Sequence, residues 1–231
     1  MDFRCVHCGH RIKTLFVQYS PGNIRLMRCE NCRAVADEYI ECEITILLID
    51  LILHKPKAYR HLLFNERNLA TDSKGLLWRL TFSYLFLDAY RILVLKKTEK
   101  EWRLFMSFSS LVWRCQKVLV NVFFGNFLFF CILLHGTRIV QNTSDMGSRY
   151  KGLLLAILIS SYLKIFLIAI MVWEFPSSVI FIVDIFVLSS NMVALKVTSG
   201  LAMNKCMVIC FLAHAAKFLT CQVFDMLCQD C

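Results

Sequence analysis

The sequence has little of what a soluble enzyme is built from. Eight glycines and three prolines in 231 residues leave few places for phosphate-cradling loops. No glycine-rich nucleotide fingerprint, no nucleophile beside a base and no open-metal motif is found. Acidic residues are scarce beside basic ones, 17 against 26, for a net charge of +9. The opening MDFRCVHCGH has no apolar core behind a charged stretch, so no cleavable signal peptide is expected. These absences point away from an enzyme. His61, His135 and His214 are isolated histidines, and a lone intramembrane histidine is a weak basis for acyl transfer.

Apolar residues are what the chain has in excess, 58% of the total with 19 Phe. They concentrate in the second half, in runs near the length that crosses a bilayer. Four runs read as spans: Val118–Gly136, Gly152–Trp173, Ser177–Val197 and Cys206–Phe224. A fifth, Leu76–Leu95, carries Arg79, Asp88 and Arg91, each costing about 2.5–3.5 kcal/mol near mid-helix. Asp88 and Arg91 are three apart, close enough to pair. The stretch Lys96–Lys117 holds six basic residues against two acids. If Leu76–Leu95 spans from a cytosolic N-terminus, that stretch becomes lumenal, against the positive-inside tendency. Four spans with both termini cytosolic are therefore favoured over five. Trp102 and Trp113 then become interface anchors, and the sequon Asn142-Thr143-Ser144 becomes lumenal.

Before the spans stand two Cys-x-x-Cys pairs, Cys5/Cys8 and Cys29/Cys32. Such pairs each give a structural zinc two thiolates from one turn. Gly9 suits a knuckle that needs positive φ. RIKTLFVQ and NIRLMR alternate like strands around the turn signal Ser20–Asn23. Zinc held by Cys5, Cys8, Cys29 and Cys32 closes a ribbon with no open coordination position, so its role is structural. His7 and His10 are alternative ligands, though exposed histidines beside the knuckle are the plainer reading. A head this small needs the metal to fold. Reduced thiolate ligands also suit the cytosol. The terminal CQDC fits neither a prenylation box nor a metal half-site well.

The next block reads ADEYIECEITILLIDLILHKPKAYRHLLFNE, Ala36–Glu66. Its run Ile44–Leu53 is too short to span and suits a helix in the interface or packed on the ribbon. After Pro56, Ala58, Leu62 and Leu63 share one helical face, while Lys55, Lys57, Arg60 and His61 make the other basic. A seat on anionic headgroups and a surface helix packed on the head are both open. Lys55, Tyr59, Arg60, His61 and Asn65 are thus candidate lipid or partner contacts. Within the bundle, Lys164 and Asp184 lie eleven residues before and nine after the turn at Phe175–Pro176. That puts them within about 3 Å in depth at 1.5 Å rise per residue, and a helix-fixing ion pair is predicted.

The chain resembles the Arv family of multi-span membrane proteins. The likeness rests on Cys5, Cys8, Gly9, Asn23–Leu26, Cys29, Cys32, Asp37, Tyr39, Glu41, Ile49–Leu51, Lys55 and Ala58–Asn65. It is tight over residues 5–65; the apolar remainder fits only as a multi-span tail. The resemblance implies residence in the endoplasmic reticulum and a part in sterol, sphingolipid and other lipid homeostasis. Its expected partners are membrane lipids, sterols above all, with no nucleic acid despite the basic charge. The leading expectation is non-catalytic mediation of sterol transport. The alternative is an accessory subunit of a lipid or glycolipid-anchor (GPI) biosynthetic enzyme.

The expected fold is mainly α-helical and polytopic in the membrane, with a small N-terminal β-rich zinc-ribbon domain. Four parts are expected: a ribbon head at 1–40, a second amphipathic block at 41–67, an interfacial or first-span segment with a basic loop at 68–117, and a helical bundle at 118–231.

Overall fold

A computed structural model describes residues 3–20, 22–66, 73–97, 108–141, 147–167 and 178–229. The chain divides into two compact units, Met1–Leu77 and Trp78–Cys231. In the first, β1 (Phe3–Arg4) pairs antiparallel with β2 (Arg11–Ile12), and β3 (Phe16–Ser20) with β4 (Asn23–Leu26). Val17 faces Arg25 across the second hairpin, and Gly22 takes φ +84° in its turn, a conformation that favours glycine. Two short sheets bury little, so the ribbon borrows its core from the block between Ala36 and Glu66. Cys5, Val6, Leu15, Cys29 and Ala36 are buried together with Tyr39, Leu51, Ala58 and Tyr59. The ribbon and the second block lie within one compact unit.

That block forms α1 (Ile44–Ile52) and α2 (Pro56–Arg60), the latter running on through a π-helical turn, His61–Asn65. Pro56 opens α2 at its first position, where its missing N–H is no loss. His54 at φ +55° reverses the chain between the two helices.

The second unit is helical: α3 (Ser73–Lys97, entering it from Trp78), α4 (Phe108–Gln141), α5 (Gly147–Ser160), α6 (Ser178–Ser199) and α7 (Met203–Gln229). Among the described residues three helices are long and apolar enough to cross a membrane, in α4, α6 and α7. The expected span 152–173 is described only to Leu167 and is helical there with one local tightening. After Ser160 the chain tightens into a 3-10 turn, Ser161–Ile165. Local and distant bonds combine here: the Ser160 and Ser161 hydroxyls lie against the Ile157 carbonyl, and the Ser160 carbonyl accepts from Ser190 of α6 at 2.6 Å. These bonds compete with the helical ladder. The remainder of that run, the turn at Phe175–Pro176, Trp102, the sequon and the end of CQDC lie outside the described residues.

The bundle is packed inside and greasy outside. Phe129 and Leu133 of α4, Leu153 and Ile157 of α5, Leu195 of α6 and Ile209 of α7 share one core. Leu87 of α3 packs with Leu163, Leu167, Ile180 and Val187, and Ile92 with Val118 and Val122. Phe127, Ile185, Phe211 and Leu219 point outward and are exposed, as side chains facing hydrocarbon should be. On α4, a Cβ on Gly136 would come within 3.0 Å of Ile209 and one on Gly125 within 3.7 Å of Lys217. These glycines let α4 and α7 approach closely. The segment expected to lie in the interface, Leu76–Leu95, instead buries Tyr84, Leu87, Asp88 and Ile92 in this core.

Candidate metal centre and buried charge cluster

The two Cys-x-x-Cys turns have one backbone geometry. The Gly9 N–H donates to the Cys5 carbonyl and the Arg33 N–H to the Cys29 carbonyl, both at 2.9 Å. The Cys5 and Cys29 N–H groups close the next ring onto His10 and Ala34, at 2.9 and 2.8 Å. Gly9 has φ +77° and Arg33 φ +60°. The second knuckle therefore forces an arginine into a conformation glycine takes freely. Facing each other, the turns bring the four Sγ atoms within 4.8 Å of one another. Cys5–Cys32 and Cys8–Cys29 are each 3.6 Å apart. A tetrahedron of metal–sulfur bonds of about 2.3 Å has edges of about 3.8 Å, whereas a disulfide spans about 2.05 Å. The donor set fits zinc, and sulfur fills all four positions. His7 and His10 are not part of this group among the described residues; His7 lies 3.7 Å from Glu38 instead.

The metal-free thiols differ. Burial pushes Cys5 up to about 12. Burial acts the same way on Cys8, but the His10 backbone N–H and the Asn31, Cys29 and Cys32 side chains outweigh it and bring that thiol down to about 6.

The second block is wired to this centre. Arg60 Nη1 donates to the Val6 and His7 carbonyls inside the first knuckle, at 2.7 and 2.9 Å. Asn65 Nδ2 donates to the Arg4 carbonyl at 2.8 Å, and its Oδ1 accepts the Arg4 N–H at 2.9 Å. The side chain thereby acts as a further strand partner for β1. At the centre sits Asp37, fully buried. It accepts from Asn65 Nδ2 at 2.6 Å and the Tyr39 N–H at 3.0 Å, and its other contact is His61 Nδ1 at 2.7 Å. Tyr59 is buried, its hydroxyl donating to the Leu51 carbonyl. Lys55 donates to Asp50 at 2.6 Å and Tyr39 to the same carboxylate at 2.8 Å. Those bonds, Lys55 first and the Tyr39 hydroxyl next, hold Asp50 below the usual carboxylate range.

Of the candidate lipid or partner contacts, Tyr59, His61 and Asn65 are buried and Arg60 is bound to the first knuckle, so these four brace the head, because a ribbon with so little core must draw its stability from this block. Lys55, on Asp50, keeps its ammonium half-exposed. Asp37, which ties His61 to Asn65, had no role assigned from sequence. Nothing in its neighbours marks it as buried.

In the bundle, Lys164 and Asp184 do not pair with each other. Lys164 donates to Asp88, as does Lys217, so one carboxylate lies between two ammonium groups. Asp184 accepts from Arg91 Nε at 2.9 Å. Helix α3 packs against both elements that the direct pair would have joined and offers each a partner first. Lys217 is accordingly part of the interior cluster and does not reach to the interface. Tyr84 completes the group: Lys164 Nζ lies 3.5 Å from its ring centre, a cation–π distance. A second polar chain adjoins it. The Ser160 and Ser161 hydroxyl oxygens lie 2.5 and 3.2 Å from Asn191 Oδ1, which competes with the Ile157 carbonyl for their protons, and Asn191 Nδ2 stands 3.2 Å from His214 Nε2. Asp88 and Arg91 were visible in sequence as a local pair; their true partners are 76 and 93 or more residues away. The pairing also offsets the insertion cost that argued against Leu76–Leu95 as a bundle helix.

A head whose four clustered cysteines are compatible with zinc, joined to a helical bundle whose mid-helix charges pair inside it, defines a membrane protein with a small cysteine-cluster domain. Comparison with known proteins then narrows this class. The family model described as Arv1-like matches residues 4–195, well beyond the 5–65 carried by the motifs. The chain is 52% identical to Protein ARV 2 of Arabidopsis thaliana over 220 residues, 95% of this chain and 93% of that one. It is also 52% identical to Protein ARV 1 of the same plant, covering 97% and 89%. Against Protein ARV1 of Homo sapiens it is 29% identical, covering 85% and 72%. The chain belongs to the Arv1-like family. No solved structure matches it.

Proposed function

We propose that this protein mediates sterol movement and sterol and sphingolipid homeostasis in the endoplasmic-reticulum membrane without catalysing a reaction. Membership of the Arv1-like family supports the lipid role. The closed sulfur quartet supports the non-catalytic one, because a fully occupied tetrahedron leaves nothing to activate water or substrate. Reduced cysteines favour a cytosolic head.

The observation that carries the reading is a groove of about 540 Å³ along α4 and α7. It is lined by Phe124, Leu128, Ala216, Leu219, Thr220, Val223 and Phe224. It is shallow and open to the outer face of the two helices. The one polar side chain, Thr220, already donates to the Ala216 carbonyl at 2.8 Å. Such a lining selects a rigid apolar body over a headgroup. In the purified, metal-loaded protein, a photoreactive sterol is expected to label this seam, and Ala216→Trp to abolish labelling while metal content stays intact. Unchanged labelling in Ala216→Trp refutes the groove. Stable co-purification with a lipid-biosynthetic enzyme, without sterol labelling, supports the accessory role instead.

A further inference from the structure

We infer that α1 is a bilayer-inserting helix, which seats the metal head in the surface of the membrane that the chain itself spans. The helix is one-sided. Leu51 is buried and Leu47 and Asp50 are half-buried against the head. The outer side carries Ile44, Ile46, Leu48, Ile49, Ile52 and, just past the end, Leu53, which are 39–72% exposed. Six large aliphatic side chains on so short a helix form a continuous greasy surface, uncommon on a soluble domain. No charge interrupts it: Asp50, the only ionisable residue within α1, turns inward to Lys55 and Tyr39. Nine residues rise about 13 Å, less than half of an apolar core about 30 Å thick, so α1 lies in the plane and does not cross.

Three observations select lipid over a second protein. The chain goes on to helices long enough to span, so the head is tethered beside a bilayer and α1 meets it at high effective concentration. Apart from Thr45, whose hydroxyl donates to Glu43, the surface is aliphatic, without the aromatic and arginine anchors that mark protein interfaces. Lys55 and Lys57 come next at its C-terminal end with ammonium groups still partly open to solvent, as suits phospholipid phosphates.

The test uses the full chain, zinc-loaded, in nanodiscs of phosphatidylcholine with phosphatidylinositol. A benzophenone amino acid replaces Ile49 or Leu53, with exposed Tyr19 on β3 as the reference position. Illumination is expected to give lipid adducts at 49 and 53 about tenfold above those at 19. The pair Ile49→Glu and Ile52→Glu, both at exposed positions and checked by metal content, is expected to cut the adduct at 53 by about the same factor. Adducts to a second copy or another protein, equal labelling at the three positions, or labelling at 53 unmoved by the glutamates each overturn the inference.

Discussion

Replacing Asp37 by alanine tests the reasoning about the head most directly. Asp37 is fully buried, and its two oxygens serve Asn65 Nδ2, the Tyr39 N–H and His61 Nδ1 at 2.6, 3.0 and 2.7 Å. Asp37→Ala leaves three groups without their acceptor, each at about 1–3 kcal/mol, so a total near 3–6 kcal/mol once partial relaxation is allowed. A core this small supplies about 3–5 kcal/mol in all. The variant head should therefore hold its fold only through the metal. Where metal binding and folding are one equilibrium, that loss weakens zinc affinity by about 10²–10⁴, at tenfold per 1.4 kcal/mol. Chelator competition on the purified full chain measures it. Asp37→Asn keeps one acceptor for the Tyr39 N–H and should fall between wild type and alanine. An Asp37→Ala protein that binds zinc within about threefold of wild type refutes the claim that this carboxylate braces the knuckles.

Four further outcomes are expected. Cys8→Ser and Cys29→Ser should each abolish stoichiometric zinc by elemental analysis, since each removes one of four ligands. Arg33→Gly should leave the head as stable as wild type or more so. Arg33→Val, at φ +60°, should cost about 1–3 kcal/mol in chemical denaturation. In the bundle, Asp88→Ala strands two ammonium groups and should lower stability in detergent by about 3–5 kcal/mol, while exchanging Arg91 with Asp184 should restore most of what either single change loses. Asp50 sets an acid limit: its carboxyl lies below its ordinary value in the folded head. Its contribution is complete above the unfolded value of about 4 and vanishes as pH falls through the lower folded one. Acid titration of Asp50→Asn should show a shallower loss of fold in that window.

Much of this protein is legible in its sequence because the strongest signals are local. Cys-x-x-Cys spacing fixes a knuckle without reference to anything distant, and the long, largely apolar runs of α4, α6 and α7 announce themselves. What sequence hides is which distant group each polar side chain meets. Lys164 and Asp184 sit at matched depths, yet depth does not reveal that α3 offers Asp88 and Arg91. His61 and Asn65 look like a helix's polar face until the fold supplies a buried carboxylate. The tightening after Ser160 involves Ser190, which a hydropathy profile of residues 152–173 cannot contain.

The shared carboxylate of Asp88 also constrains biosynthesis. Its cations are encoded 76 and 129 residues downstream, so α4 and α5 are made before the first of them exists. Stable burial of α3 among the other helices therefore awaits chain made well after it.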